Sequence, residues 1–221
     1  RTGTACFSSI LEVVAPGSII DIVNPADADA VLPSGADLAQ YHGFMMSGSA
    51  LNIPLSENDP CVRRQVDLAK AVFDVGVPFY GSCWGLQVAV AAAGGTVSAS
   101  PLGCEMAVAR KVVLNATGRE HPLYEGKASV FDAPAVHVDE VTVLPSGATL
   151  LASNGFSQVQ GVMFTHSAGE FWGVQYHPEF DFAIMAIVMQ RLTRSVLEEG
   201  LFESEDDVKA LIDTYRGLDG D

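Results

Sequence analysis

Basic residues are scarce in this 221-residue chain: 12 Lys and Arg stand against 27 Asp and Glu, a formal net charge of −15. That balance argues against nucleic acid or an anionic membrane as partner, since both would repel it. No apolar run approaches the roughly 18 residues that a membrane-spanning helix needs, and no stretch resembles a signal peptide. Cysteine is sparse as well. The four, at positions 6, 61, 83 and 104, show no C-x-x-C spacing, so neither a zinc site nor a redox pair is indicated. His137 and Asp139 offer two candidate ligands with no third at a fitting spacing, so no metal is expected. The size and low cysteine content suit a reducing cytoplasm, the expected location. There are no internal repeats and no low-complexity linkers. With 48% hydrophobic residues, the chain reads as one globular domain with a substantial core.

What is present is organised around Pro78-Phe79-Tyr80-Gly81-Ser82-Cys83-Trp84-Gly85-Leu86-Gln87. A short apolar run, Val75 to Tyr80, is cut by Gly81 and Gly85 and then flows into Leu86 to Ala93. The pattern is strand, sharp turn, helix, with Cys83 at the apex. Such an elbow strains its central residue and holds that side chain out of the sheet. The following helix aims its N-terminal amides and positive dipole end at the thiol. Taken alone, the elbow fits a nucleophile and a buried structural cysteine equally well.

A second motif lies downstream. Phe171 to Tyr176 reads as a strand that ends in His177-Pro178-Glu179-Phe180. A thiol nucleophile needs a base, and the base needs a third group to fix its tautomer and orientation. His177 at a strand end, with Glu179 two residues on, supplies both in a rigid spacing. The G-x-C-x-G elbow and the H-P-E together resemble class I glutamine amidotransferases, and in particular stand-alone members similar to the amidotransferase half of GMP synthase. Tyr41 to Ala50 resembles that family's oxyanion strand and loop, with Ser49-Ala50 where a second Gly and a Pro are usual. His137-Val138-Asp139-Glu140-Val141 followed by Leu144-Pro145 resembles the family's S-H-x-D-x-V and L-P, with Val136 in place of the Ser. The likeness runs from the first helix to about Phe182.

The resemblance implies an α/β fold with a doubly wound, mostly parallel central sheet flanked by helices, of the flavodoxin-like kind. It implies Cys83, His177 and Glu179 as the catalytic residues, and backbone amides of Gly48, Ser49 and Trp84 as the oxyanion hole. Gln87, one helical turn past Cys83, would hold the backbone end of glutamine, with His137 as a further substrate-binding residue. No cofactor is implied. The reaction expected is release of ammonia from the glutamine side chain through a γ-glutamyl thioester, either beside a separate ammonia-accepting synthetase as partner or as a free-standing hydrolase. Two alternatives stand beside it. One is a γ-glutamyl peptide or amide hydrolase with the same triad; the other is a catalytically silent binding or regulatory protein on this fold.

The rest of the chain fits an α/β alternation. Thr4 to Val14 reads as a helix, and Ser18 to Val23 as a buried strand; the family's usual opening strand is expected ahead of Arg1. Asp59 as N-cap and Pro60 at the first position start a helix that Gly76 ends. Thr96–Ala99 begins a more β-rich part, in which Ala107–Leu114, Ala128–Phe131, Thr149–Ser153, Val159–Thr165 and Phe171–Gln175 alternate as strands. Glu105 at a strand entrance either lines the site or faces solvent. Ala183 to Leu197 reads as a helix, followed by an acidic patch and a short amphipathic helix around Val208 to Tyr215. Residues 1–200 are expected to form the amidotransferase-like domain, with 201–221 as an acidic helical tail packed on it.

Overall fold

A computed structural model describes residues 3–56 and 58–218. Two compact units divide the chain: residues 17–177, and residues 1–16 with 178–221. The smaller unit is helical. It holds α1 (Gly3–Val14), α6 (Phe182–Glu198) and α7 (Glu205–Leu218). The Asp181 carboxylate accepts from the Ile184 amide and starts α6. α6 and α7 pack against each other, with the rings of Phe182 and Tyr215 stacked at 6.1 Å and Arg216 donating to Gln190. The amphipathic stripe expected in the acidic tail is there: Val208, Ile212 and Tyr215 are buried while Glu205, Asp206 and Asp207 face solvent.

The larger unit is built on a seven-stranded sheet. In chain order its elements are β1 (Phe44–Met46), α2 (Ile53–Ser56), α3 (Pro60–Val75), β2 (Phe79–Ser82), α4 (Trp84–Ala92), β3 (Thr96–Ala99), β4 (Glu105–Leu114), α5 (Ala116–Glu120), β5 (Val130–His137), β6 (Asp139–Val143), β7 (Thr149–Ser153), β8 (Gly161–His166) and β9 (Gly169–Val174). The α/β class expected from the sequence is the one observed, with sheet order β1-β2-β9-β8-β7-β4-β5 and a separate β3-β6 ribbon. The pairing is mixed where a mostly parallel sheet was expected. Only β1-β2 and β2-β9 are parallel; the remaining neighbours run antiparallel. The reason lies in the connections. β1 and β2 are joined through a helix, which a parallel pair requires, whereas β7, β8 and β9 follow one another through short turns that reverse the chain.

Ser18–Val23 is not a strand. It pairs with nothing in the sheet, and Ile19 and Ile22 are exposed at 92% and 55%. Apolar content alone marked it as buried, but a strand without a neighbour has no ladder for its amides. Arg64 instead holds the following loop by donating to the carbonyls of Asp27 and Ala30.

One core lies between the sheet and helices α3 and α4, with Phe73, Phe79, Phe164 and Phe171 in mutual edge-on or tilted contact. α4 is buried on nearly every side, which explains its almost unbroken apolar sequence. A second cluster, including Leu114, Tyr124, Ala135, Val174 and Tyr176, forms on other strands of the sheet. β5 sits at the far edge of the strand order, yet the His177 amide donates to Pro134 O at 2.8 Å. The sheet therefore curls, and its last strand returns to the end of β9.

Candidate active site

The elbow is as the sequence predicts. Cys83 has φ 50° and ψ −105°, a region that L-residues avoid and that costs about 1–3 kcal/mol. Two contacts hold it there. Its amide donates to Val174 O at 2.8 Å, and its carbonyl accepts from the Gln87 amide at 3.1 Å to open α4. Both glycines of the motif are needed for close approach. A Cβ on Gly81 would come within 2.5 Å of the Gly85 carbonyl carbon, and one on Gly85 would strike Met46 O at the end of β1.

Cys83 is buried, and its thiol donates to Val136 O at 3.6 Å. The amides of Trp84 and Gly85 fall in the first turn of α4, where no carbonyl four residues earlier can accept from them within the helix. Cys83 is the N-cap residue of α4, at the positive end of the helix. The Trp84 indole donates to Gln65 at 2.7 Å and anchors α4 on α3.

His177 follows β9 by three residues and is buried. Its imidazole lies against the loop after β1: a Cβ on Gly48 would sit 2.5 Å from His177 Cε1 and 3.4 Å from Nε2. The expected oxyanion loop and the expected base are thus neighbours. Ser49 is exposed, and its hydroxyl accepts from the Leu51 amide at 3.2 Å, which tightens the loop. Glu179 falls in the helical unit and is a buried residue of the chain.

Gln87 and His137 are both buried and engaged within the protein. Gln87 Nε2 donates to Asp139 O at 2.9 Å and to Gln175 Oε1 at 3.3 Å. His137 Nδ1 lies 3.0 Å from Asp139 O; a carbonyl only accepts, so Nδ1 carries the proton. Its Nε2 meets Glu105 Oε2 at 2.8 Å. Both ring nitrogens are therefore taken, so His137 offers a ligand no ring nitrogen.

Glu105 neither lines the cleft passively nor faces solvent. It is a buried acid on which three groups converge: His137, Gln160 Nε2 at 2.7 Å and Asn154 Nδ2 at 2.6 Å. Register pairs Glu105 with His137 across β4 and β5, and that pairing explains the contact. A cavity of about 400 Å³ opens beside it, lined in part by Met106, Arg110, Asn154 and Phe156. Asp139 is the residue that sequence reasoning undervalued. Its carbonyl takes both Gln87 and His137, while its buried carboxyl bonds Asn52 in the loop after β1. Burial pushes that carboxyl above its ordinary range, against the opposing pull of Asn52 and His137. The hints in the sequence are its place two residues after His137 and its match to the Asp of the S-H-x-D-x-V pattern.

Among the described residues no group of three or more His, Cys, Asp or Glu is placed to hold a metal ion. None of the described helices is long and apolar enough to cross a membrane.

Residues 20–186 match the class I glutamine amidotransferase family. The γ-glutamyl-L-1-hydroxyisopropylamide hydrolase of a Pseudomonas species is 38% identical over 208 residues, which cover 92% of this chain and 68% of that protein. A glutamine-hydrolysing GMP synthase subunit of Methanoregula boonei is 31% identical over 159 residues, 69% of this chain and 76% of that one. In fold, the chain is similar to the crystal structure of a glutamine amidotransferase from Thermotoga maritima, with a TM-score of 0.74 at 16% identity over 95% of this chain and 83% of that one. With a family match over most of its length and a relative 38% identical over most of both chains, this chain belongs to the class I glutamine amidotransferase family.

Proposed function

We propose that this protein is a cysteine amidohydrolase that cleaves a γ-glutamyl amide bond. Cys83 sulfur attacks the γ-carbonyl carbon and forms the carbon–sulfur bond; its proton passes to His177. The oxyanion is held by the amides of Gly48, Ser49 and Trp84. The carbon–nitrogen bond then breaks, and His177 returns the proton to the leaving amine or ammonia. Water attacks the thioester by the same base, freeing glutamate and the thiol. Glu179 orients His177; that role rests on the H-P-E spacing in the sequence. Gln87 holds the α-amino acid end of the substrate, and His137 supports the same pocket from behind through Asp139 O.

The observation that carries this reading is Cys83 at φ 50° on the apex of an elbow, at the N-cap of α4. A cysteine kept only for packing would not need a strained backbone there. Substrates larger than glutamine are favoured by the 38% identity to a γ-glutamyl amide hydrolase across 92% of the chain. The second reading is a glutaminase that hands ammonia to a separate synthetase; it is favoured by the 31% identity to the GMP synthase subunit of Methanoregula boonei.

Labelling of Cys83 by a chloroketone analogue of glutamine tests the proposal, with Cys83→Ala as control. Labelling blocked by γ-glutamyl alkylamides more strongly than by glutamine supports the amide hydrolase. Labelling blocked best by glutamine supports the ammonia-delivering alternative. Folded, reduced protein that takes no label would leave a silent binding protein as the surviving reading.

A further inference from the structure

The loop that carries Gly48 and Ser49 has few anchors. Leu51 packs against the main core, Gly48 lies on the His177 ring, and Ser49 closes a turn onto Leu51. Ser49 itself is exposed. The next anchor is Asn52, three residues on, and its partner is the carboxyl of Asp139 at the start of β6. The same Asp139 also binds through its backbone: its carbonyl receives Gln87 from α4 and His137 from the end of β5. One residue therefore joins the loop expected to hold the oxyanion to the helix that follows the nucleophile.

The carboxyl is a costly choice for this place. Asp139 is 3% exposed, and its Oδ1 has no hydrogen-bond partner among the described residues, so burial disfavours its charged form. An apolar residue would pack there at lower cost. What the carboxyl adds is an acceptor for Asn52.

We propose that Asp139 is a positioning residue: through Asn52 it fixes the Gly48–Ser49 loop against the nucleophile helix, so that the loop amides meet the oxyanion. The assignment rests on the amidohydrolase reading above. It separates two kinds of reaction at one sulfur. Displacement of iodide from iodoacetamide forms a carbon–sulfur bond and releases iodide with no oxyanion, so the loop is not needed. Acylation by γ-glutamyl p-nitroanilide passes through an oxyanion and needs the loop in place.

The experiment measures both reactions for wild type, Asn52→Ala, Asp139→Ala, Asp139→Asn and the Asn52→Ala/Asp139→Ala double variant, with unfolding midpoints for each. Either alanine variant is expected to lower kcat for the anilide about 10- to 100-fold, the scale of a misplacement near 1 Å. KM and the iodoacetamide rate should stay within about threefold. Asp139→Asn keeps an oxygen for Asn52 and should restore most of kcat, and the double variant should be no worse than the singles. The proposal is overturned if alkylation falls in step with turnover, if KM alone changes, or if the two losses multiply. Should Asp139→Ala fail to fold, Asn52→Ala alone decides, because it removes the tether and leaves the buried residue in place. Wild-type enzyme that is alkylated but never turns over would refute the amidohydrolase reading itself.

Discussion

Gly48→Ala is the sharpest single perturbation of this site. Gly48 has no positive φ, so alanine adds no backbone strain, and the effect of the substitution is purely one of space. The new Cβ would lie 2.5 Å from His177 Cε1, where ordinary carbon contacts fall at roughly 3.5–4.0 Å. Either the imidazole or the loop must move by about 1 Å. A displacement of that size in a catalytic constellation costs about 100-fold, equivalent to ~2.7 kcal/mol of transition-state stabilisation. The loop is partly exposed, so the unfolding free energy should change by less than about 1 kcal/mol. The assay is kcat/KM for γ-glutamyl p-nitroanilide, with denaturant unfolding in parallel and Gly43→Ala as control. At Gly43 an added Cβ meets only Pro78 O at 3.8 Å, so that variant should behave as wild type. Gly48→Ala with unaltered turnover and unaltered stability would refute the placement of His177 as the base beside this loop.

Three other outcomes are expected. Glu105→Ala removes the shared partner of buried His137 and Gln160 and of half-buried Asn154 and should destabilise the fold by about 3 kcal/mol, read as a lower denaturant midpoint at unchanged slope. His121 Nδ1 accepts from the Leu123 amide, its ring meets Trp172 edge-on, and burial lowers its pKa despite the opposing charge of Glu170. A lowered histidine contributes stability that is present above about pH 6.5, the unfolded value, and is lost as pH falls through the folded one. The unfolding midpoint should drop on that acid side, and His121→Asn, which keeps a cap acceptor without titrating, should flatten the drop. Asp59→Ala deletes the cap on Cys61 N and should cost about 1 kcal/mol with no change in turnover.

Local chemistry is where sequence reading succeeded. The α3 boundaries followed from Asp59, Pro60 and Gly76, and the cap bond and left-handed Gly76 are both present. The Cys83 elbow was legible because a strand, two glycines and an apolar helix lie within a dozen residues, and each signal is local. His177 was legible as a strand-end residue next to Pro178. Reading failed where neighbours decide. Ser18–Val23 has the composition of a strand and lacks a partner strand, and the β7–β8–β9 part of the sheet runs antiparallel because short connections reverse it. Glu105 could be read equally as site or surface, since nothing around it in the chain indicates that Asn154 and Gln160 arrive some fifty residues later.

The sequence by itself determined the strained cysteine, the helix that follows it, the two glycines that let the backbone close around it and the surplus of negative charge. Each of the structural features among these depends on residues within one or two turns of each other. Only the tertiary structure decided that β5 curls back to bring Val136 O to the thiol, that His177 rests on Gly48, and that Glu105 and Asp139 organise the polar groups behind the site. Those contacts join residues dozens to more than a hundred positions apart. They form because a curled sheet brings the ends of β2, β5 and β9 together, and buried polar groups there must find partners in one another.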